Sequence, residues 1–366
     1  MNRLKRLSGL AMMIALLAIA VGACAATVTV PDDYPTIQAA IDAAQAGDTV
    51  YVKAGRYTEN ITINKPLQLI GEDRTKVVIQ SPDTEKDVIT VNLSKGEVSI
   101  NRVEVCAGRV AIVLLLNAGT KANVTKVIAY KNAIGIYAMG EGTFLLTGSF
   151  LIDSKVAGLL LRNSRAKVTS NEILRGDTGI MLDDAVTATI TKNLVGLCSR
   201  GIDTYTTTCG HSETDEHFQG RVSGDGNRIY GLKIDLCPEY TGMPWPDGFA
   251  DQAWKNSVDK AVDAFSRGLV LYNDQDYEDA LATYAAGAAL LVNAPFSLLE
   301  AYFNQNIGIV YRSLGRYEEA LAAYESARAV YVERKMQVDV AKVDSNIGIV
   351  YCKLGRYEEA MAAYQS

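Results

Sequence analysis

Through the first two thirds of the chain, apolar side chains fall on every second position in short bursts, and the bursts recur at a fixed step. Ala122/Val124, Phe144/Leu146, Ala166/Val168 and Ala188/Ile190 form one series, each closed by a threonine: Thr125, Thr147, Thr169 and Thr191, 22 residues apart. About half a period away stands a second series, Ile134/Ile136, Leu159/Leu161, Ile180/Leu182 and Ile202/Thr204. A period of two buries one face of a strand and wets the other. Two or three short strands per 22 residues, each lying on its equivalent one repeat later, predict a parallel β-helix with its core inside the coil. A sandwich of hairpins would instead give variable spacing and Asn-Gly turns. Asn171 and Asn193 follow the threonine strands at equivalent places, where asparagine tolerates a left-handed corner and can ladder with its neighbour in the next coil.

Beyond a Pro/Trp/Gly-rich stretch over 238–257, read as a linker, the pattern changes period. Gly268, Gly308 and Gly348 are 40 residues apart, and so are Ala280, Ala320 and Ala360, and Tyr284, Tyr324 and Tyr364. Asn306-Ile-Gly-Ile-Val-Tyr311 returns as Asn346-Ile-Gly-Ile-Val-Tyr351, and Leu-Gly-Arg-Tyr-Glu-Glu-Ala stands at both 314–320 and 354–360. Small residues mark a close helix crossing and tyrosines fill the space beside it. Gly315 and Gly355 stop one helix, and Glu318/Glu319 and Glu358/Glu359 favour the start of the next. Helix pairs with this 40-residue step are expected over 258–366, about three of them. The last is read as cut short at Ser366, which predicts that the natural chain carries further repeats.

Two further segments frame the rod. Residues 1–25 combine a basic start (Arg3, Lys5, Arg6), an apolar run from Leu7 to Val21 and small residues, the signature of a secretory signal. The run is shorter than the roughly 20 residues of a spanning helix. Ala23 and Ala25 fit a cleavage site, while Val21-Gly-Ala-Cys24 fits a lipoprotein box that would lipidate Cys24, and both exits stay open. After it, Asp33 as cap, Pro35 in the first turn and Gly47 at the end predict an amphipathic helix with Ile37, Ala40, Ile41 and Ala44 on one stripe, a lid for the open end of the coil.

Two resemblances follow from these residues. Thr36-Ile-Gln, Gly47-Asp-Thr-Val-Tyr-Val52, Gly55-Arg-Tyr-Thr-Glu-Asn-Ile61 and Leu69-Ile-Gly-Glu72 closely resemble the opening of the pectin-lyase-like right-handed β-helix superfamily. The later coils resemble its periplasmic copper-deposition and carbohydrate-binding branch. The likeness covers about 27–237 and implies an all-β right-handed parallel β-helix, a fold that hosts many functions. The 40-residue words resemble long tetratricopeptide repeats of peptide-binding scaffolds, which implies an all-α tetratricopeptide-repeat solenoid. By that resemblance Asn306 and Asn346 would hold a peptide main chain, with Arg312 and Lys353 near for acidic side chains. The other reading of the asparagines is plain repeat packing. A peptidase-like domain often follows such repeats, so a larger protein with one downstream stays an alternative.

Composition narrows the functions. A net charge of −6 with scattered basic residues argues against a nucleic-acid partner, leaving the membrane reachable only through a lipid anchor. Six cysteines in an exported chain permit disulfides; Cys209 and Cys237 flank the last coil, either paired across it or as free thiols. The two histidines, His211 and His217, sit with Cys209 in one polar loop, where the three could approach zinc or copper, or form a solvated insertion. No cofactor is expected.

For catalysis, the period aligns Tyr137, Leu160, Met181 and Asp203 in one outward column and Met139, Arg162, Asp183 and Tyr205 in the next. Coils stand about 4.8 Å apart, so Arg162 and Asp183 should touch and Asp203 should lie roughly 8 Å from Asp183. Inverting glycosidases hold their carboxylates about 6.5–9.5 Å apart; a surface ion pair is the plainer reading. Asp183-Asp184, Gly210-His211-Ser and Arg228-Ile-Tyr echo the polygalacturonase series, yet its second glycine and its lysine are absent. The motifs of pectin methylesterases, pectate lyases and alginate epimerases are missing. The sequence therefore reads as an exported, non-catalytic scaffold, periplasmic, cell-surface or secreted. Its rod offers a carbohydrate surface and its repeats a groove for a protein or peptide. A polysaccharide lyase or hydrolase working through Asp183, Asp203 and Arg162 is the alternative.

Overall fold

The computed structural model describes residues 25–204, 218–237, 245–251, 253–292, 294, 296–334 and 336–365. The expected signal and Cys24 lie outside these residues. The amino-terminal half is a three-faced parallel solenoid. Face I is a nine-stranded sheet running from Thr27–Val30 through Lys121–Thr125, Thr143–Thr147, Arg165–Thr169 and Thr187–Thr191 to Arg221–Ser223. Face II begins with Gly55–Thr58, Val77–Gln80, Glu104–Cys106 and Ile128–Tyr130; face III with Ile61–Ile63, Ile89–Leu93, Val110–Leu116 and Ile134–Met139. In the later coils, Phe150–Arg162, Glu172–Asp183, Leu194–Asp203 and Arg228–Cys237 run continuously from face II round into face III.

The 22-residue step is a hydrogen-bond register. Thr125 pairs with Thr147, Thr147 with Thr169 and Thr169 with Thr191, and the last two hydroxyls lie 3.0 Å apart. On the inner side Phe144 stacks between Ala122 and Ala166, so one large ring fills what two small neighbours leave. The asparagine column forms as expected and is longer. Asn171, Asn193 and Asn227 are buried, and each carboxamide oxygen accepts the amide of the residue one coil before, at 3.0–3.1 Å. Their Nδ2 groups donate to Leu146, Val168 and Ile190 carbonyls. Asn227 breaks the 22-residue step, standing 34 residues after Asn193, which hides it from a periodic reading. From the strand Glu97–Asn101 onward the corner before the ladder is left-handed, at Arg102, Lys126, Ser170 and Lys192 with φ between 52° and 56° and at Gly148 and Gly226.

The lid helix, α1, spans Ile37–Ala43, later than expected. Its cap is Thr36 rather than Asp33, whose carboxylate instead accepts the Thr29 amide. The first two helical amides are met from a distance, by Glu59 at 2.9 Å, a cap that no local motif encodes.

Among the described residues of the carboxy-terminal half, six helices form three antiparallel pairs: α2 (Lys255–Asn273) with α3 (Tyr277–Ala289), α4 (Ser297–Ser313) with α5 (Tyr317–Glu333), and α6 (Gln337–Lys353) with α7 (Tyr357–Gln365). A Cβ on Gly308 would stand 2.7 Å from the Tyr324 ring, and one on Gly348 2.5 Å from Tyr364, so glycine sets how near each pair approaches. Gly315 and Gly355, at φ +74° and +72°, end α4 and α6 as expected, while Gln275 takes that place in the first pair at φ 67°.

The helices lie against the outside of face II. Leu174 and Tyr230 of the rod share one core with the helical residues, and Phe296 packs so closely on Gly196 that no Cβ would fit. Tyr230, Trp254 and Phe296 meet with centroids 5.1–6.1 Å apart. This explains why the rod is apolar on both sides at Ile173/Leu174 and Ile229/Tyr230, where the first of each pair faces the inner core and the second the helices.

Candidate functional site

Three places carry the side chains singled out by the sequence. On face III the alignment holds: Tyr137 pairs with Leu160, Leu160 with Met181 and Met181 with Asp203, while Met139 pairs with Arg162 and Arg162 with Asp183. Arg162 reaches Asp183 at 3.5 Å and Asp184 at 3.0 Å. The hydrogen bond Arg162 donates to Asp184, then the charge of Asp183, raise its guanidinium above the usual arginine value. Asp203 departs from expectation. It is fully buried, with Arg200 3.8 Å away, and its register partner Met181 is buried as well. Alternation assigns a side of the strand, but exposure depends on what covers that side, and at this end the outer column is roofed. Asp183 thus lies beside an arginine at the surface and Asp203 is withdrawn from it. Tyr205 lies outside the described residues.

The second place is the face formed by the first helix of each repeat. Arg312 Nη1 donates to Asn346 Oδ1 at 2.8 Å, bridging α4 to α6, and the Tyr272 and Ser313 hydroxyls lie 3.4 Å apart between α2 and α4. One turn along the same face stand Leu269, Ile309 and Ile349, 40 residues apart, with Leu269 and Ile349 about two fifths exposed. Lys353 ends α6 at its negative pole. Asn306 donates one N–H within its own helix to the Tyr302 carbonyl at 2.8 Å. The aliphatic stripe was missed by reading the repeat only for its conserved-looking words; its signal was the 40-residue recurrence of Leu/Ile one position after each glycine.

The third place is the junction, which the sequence reading did not anticipate. Arg175, on a left-handed corner of the rod, pairs with Asp153 one coil earlier and with Asp339 of α6 at 3.5 Å, and its guanidinium lies 5.3 Å from the Tyr302 ring. Burial pushes the Asp153 carboxyl up, against the pull of Arg175. Arg334 pairs with Glu172, Lys255 with Asp235, and the Tyr230 hydroxyl donates to Asp259 at 2.9 Å.

The metal expectation rested on Cys209, His211 and His217, which lie outside the described residues. Among the described residues no cluster of three or more histidine, cysteine or acidic side chains is arranged to hold a metal. Burial pushes the thiols of Cys106 and Cys198 up to about 11 and about 12, keeping them protonated and poor ligands. Cys237 is disulfide-bonded; the partner expected for it, Cys209, is again outside the described residues.

Comparison with known families matches residues 41–230, just over half the chain, to the family described as periplasmic copper-binding protein (NosD). Residues 262–332 and 306–366 match tetratricopeptide repeats. No curated protein matches. Similar solved structures include pectin methylesterase PemA from Erwinia chrysanthemi (15% identity over 59% of this chain and 81% of that one, TM-score 0.36). The pectin methylesterase from Aspergillus niger has 14% identity over 64% of this chain and 93% of that one, TM-score 0.36. The tetratricopeptide domain of Arabidopsis FLU has 17% identity over 30% of this chain and 92% of that one, TM-score 0.29. The chain is a right-handed parallel β-helix followed by tetratricopeptide repeats.

Proposed function

The chain belongs to the NosD family, and from that premise we propose that it acts in the periplasm as a non-catalytic interaction scaffold. Its helical repeats dock a protein or peptide, and its rod offers a glycan-binding surface. Copper binding, which the family description names, finds no suitable donor cluster among the described residues.

The observation that supports docking is the stripe of Leu269, Ile309 and Ile349 beside Arg312 and Lys353. Such a surface suits an extended segment presenting aliphatic side chains at intervals with acidic ones between them. Asn346, held by Arg312, is oriented to offer its free Nδ2 to a peptide carbonyl. Asn306, with one N–H already on the Tyr302 carbonyl, keeps its second N–H and its Oδ1 to offer.

The test is binding of the full chain to an array of acidic-aliphatic peptides. Retained peptides should lose on the order of tenfold in affinity with Arg312→Glu/Lys353→Glu, while Asp183→Asn leaves them unchanged. No retention, or retention that ignores the double reversal, refutes the docking reading. The enzymatic alternative keeps one observation, the Arg162–Asp183 contact, and predicts turnover of a uronate polymer that Asp183→Asn abolishes.

A further inference from the structure

Basic side chains are distributed unevenly over the rod. On faces II and III, four arginines each pair with an aspartate about one coil away: Arg109 with Asp87 at 2.8 Å, Arg162 with Asp184 at 3.0 Å, Arg175 with Asp153, and Arg200 with Asp177 at 2.9 Å. Face I follows another rule. Its outward positions from Lys121–Thr125 to Arg221–Ser223 hold Lys121, Arg165, Lys167 and Arg221, and no acidic residue. The adjoining left-handed corner adds Lys126 and Lys192. All six are exposed, and none makes an ion pair among the described residues. Lys121 alone has an acid in register, Glu97, whose carboxylate is taken by Asn123. In a chain of net charge −6, this face sets several exposed cations close together with no acid among them, whereas the four arginines above each have an aspartate at hand.

The spacing is regular. One outward column reads Lys121, Thr143, Arg165, Thr187, Arg221 on five consecutive coils, so a cation recurs on every second coil, about 9.6 Å apart, with a threonine hydroxyl between. The Thr125, Thr147, Thr169, Thr191 column runs parallel to it along the rod. These strands pair without a register shift, whereas the long strands of the other two faces carry bulges. The helices cover face II and leave this face open.

We infer that face I binds a linear anionic polysaccharide lying along the rod axis, its carboxylate or sulfate groups on the cations and its hydroxyls on the threonines. The inference rests on the reading of the rod as a glycan surface and names the face and the ligand chemistry. Duplex DNA, with about one charge per 1.7 Å, is far denser in charge than this column. A membrane would need apolar wedges, and Leu145 is the one aliphatic side chain on the outward side of these strands.

The experiment measures binding of the full chain to polygalacturonate (carboxylate) and dextran sulfate (sulfate ester), with fully methyl-esterified pectin, a duplex oligonucleotide and phosphatidylglycerol vesicles as competitors. Salt-sensitive binding to one or both charged glycans is expected, weakened on the order of tenfold or more by Arg165→Glu/Lys167→Glu. Arg165→Gln/Lys167→Gln guards against misfolding and should give a smaller loss in the same direction. Which glycan binds identifies the anion. Binding that ignores both variants but falls with Arg162→Glu overturns the assignment to face I and keeps a glycan-binding rod. Equal binding of DNA or vesicles overturns the glycan assignment, and no binding to any glycan overturns both readings.

Discussion

The rod and the helical repeats are both stacks of near-identical units, yet each joins its units by different means. In the rod, neighbouring coils are tied by main-chain ladders and by the buried Asn171–Asn193–Asn227 column, contacts that hardly depend on which outward side chains are present. In the repeats, neighbouring helices share no main-chain bonds among the described residues and meet through side chains, as at Gly308 against Tyr324. The sequences follow from this. The rod repeats a pattern, apolar-x-apolar-Thr, while the helices repeat whole words. A backbone-joined stack leaves its outer faces free to diverge, so face I could gather unpaired cations while face II became apolar enough to hold the helices.

Three changes probe this contrast. The largest effect is expected from Phe144→Ala, which empties the space between Ala122 and Ala166 and should cost about 3–5 kcal/mol in denaturant unfolding followed by the β signal. A loss near zero would mean the coils close around the gap and that ladder bonding, not ring packing, dominates the rod. Next is Gly308→Val, whose Cβ would press on Tyr324; about 1–3 kcal/mol should be lost, and from the helical signal first. Equal loss in both signals would show that the two solenoids unfold as one unit. The smallest effect concerns Asp48, whose carboxyl is held below the usual range by the Ala26 amide first and the Gln45 amide second. A depressed folded pKa stabilises above the unfolded value and is lost as pH falls through the folded one, so protection of the Ala26 and Gln45 amides from hydrogen exchange should fade below about pH 4. Asp48→Asn should remove that pH dependence.

The sequence carried the fold well because both periods are physical distances between stacked units. It carried the ladder asparagines while the step stayed at 22 and lost Asn227 where the step lengthened. Long-range satisfaction was illegible: the first two amides of the lid helix are met by Glu59, some twenty residues away, while the local cap is Thr36 and not Asp33. Of the face III residues, register brought Arg162 and Asp183 together, while the burial of Asp203 depends on what lies over the strand end. The junction left one trace, consecutive apolar residues at Ile173/Leu174 and Ile229/Tyr230, which a search for alternation passes over.

Arg175 is gripped from two directions, by Asp153 of the rod and Asp339 of the helices, and with Gly196, Tyr230 and Asp235 it anchors the helical array on the last coils of the rod. Every coil between that anchor and the amino-terminal lid therefore adds about 4.8 Å to the reach from a docked partner to the rod tip. Coil number acts as a ruler: relatives that gain or lose one 22-residue unit would hold the same partner a measured step farther out or closer in.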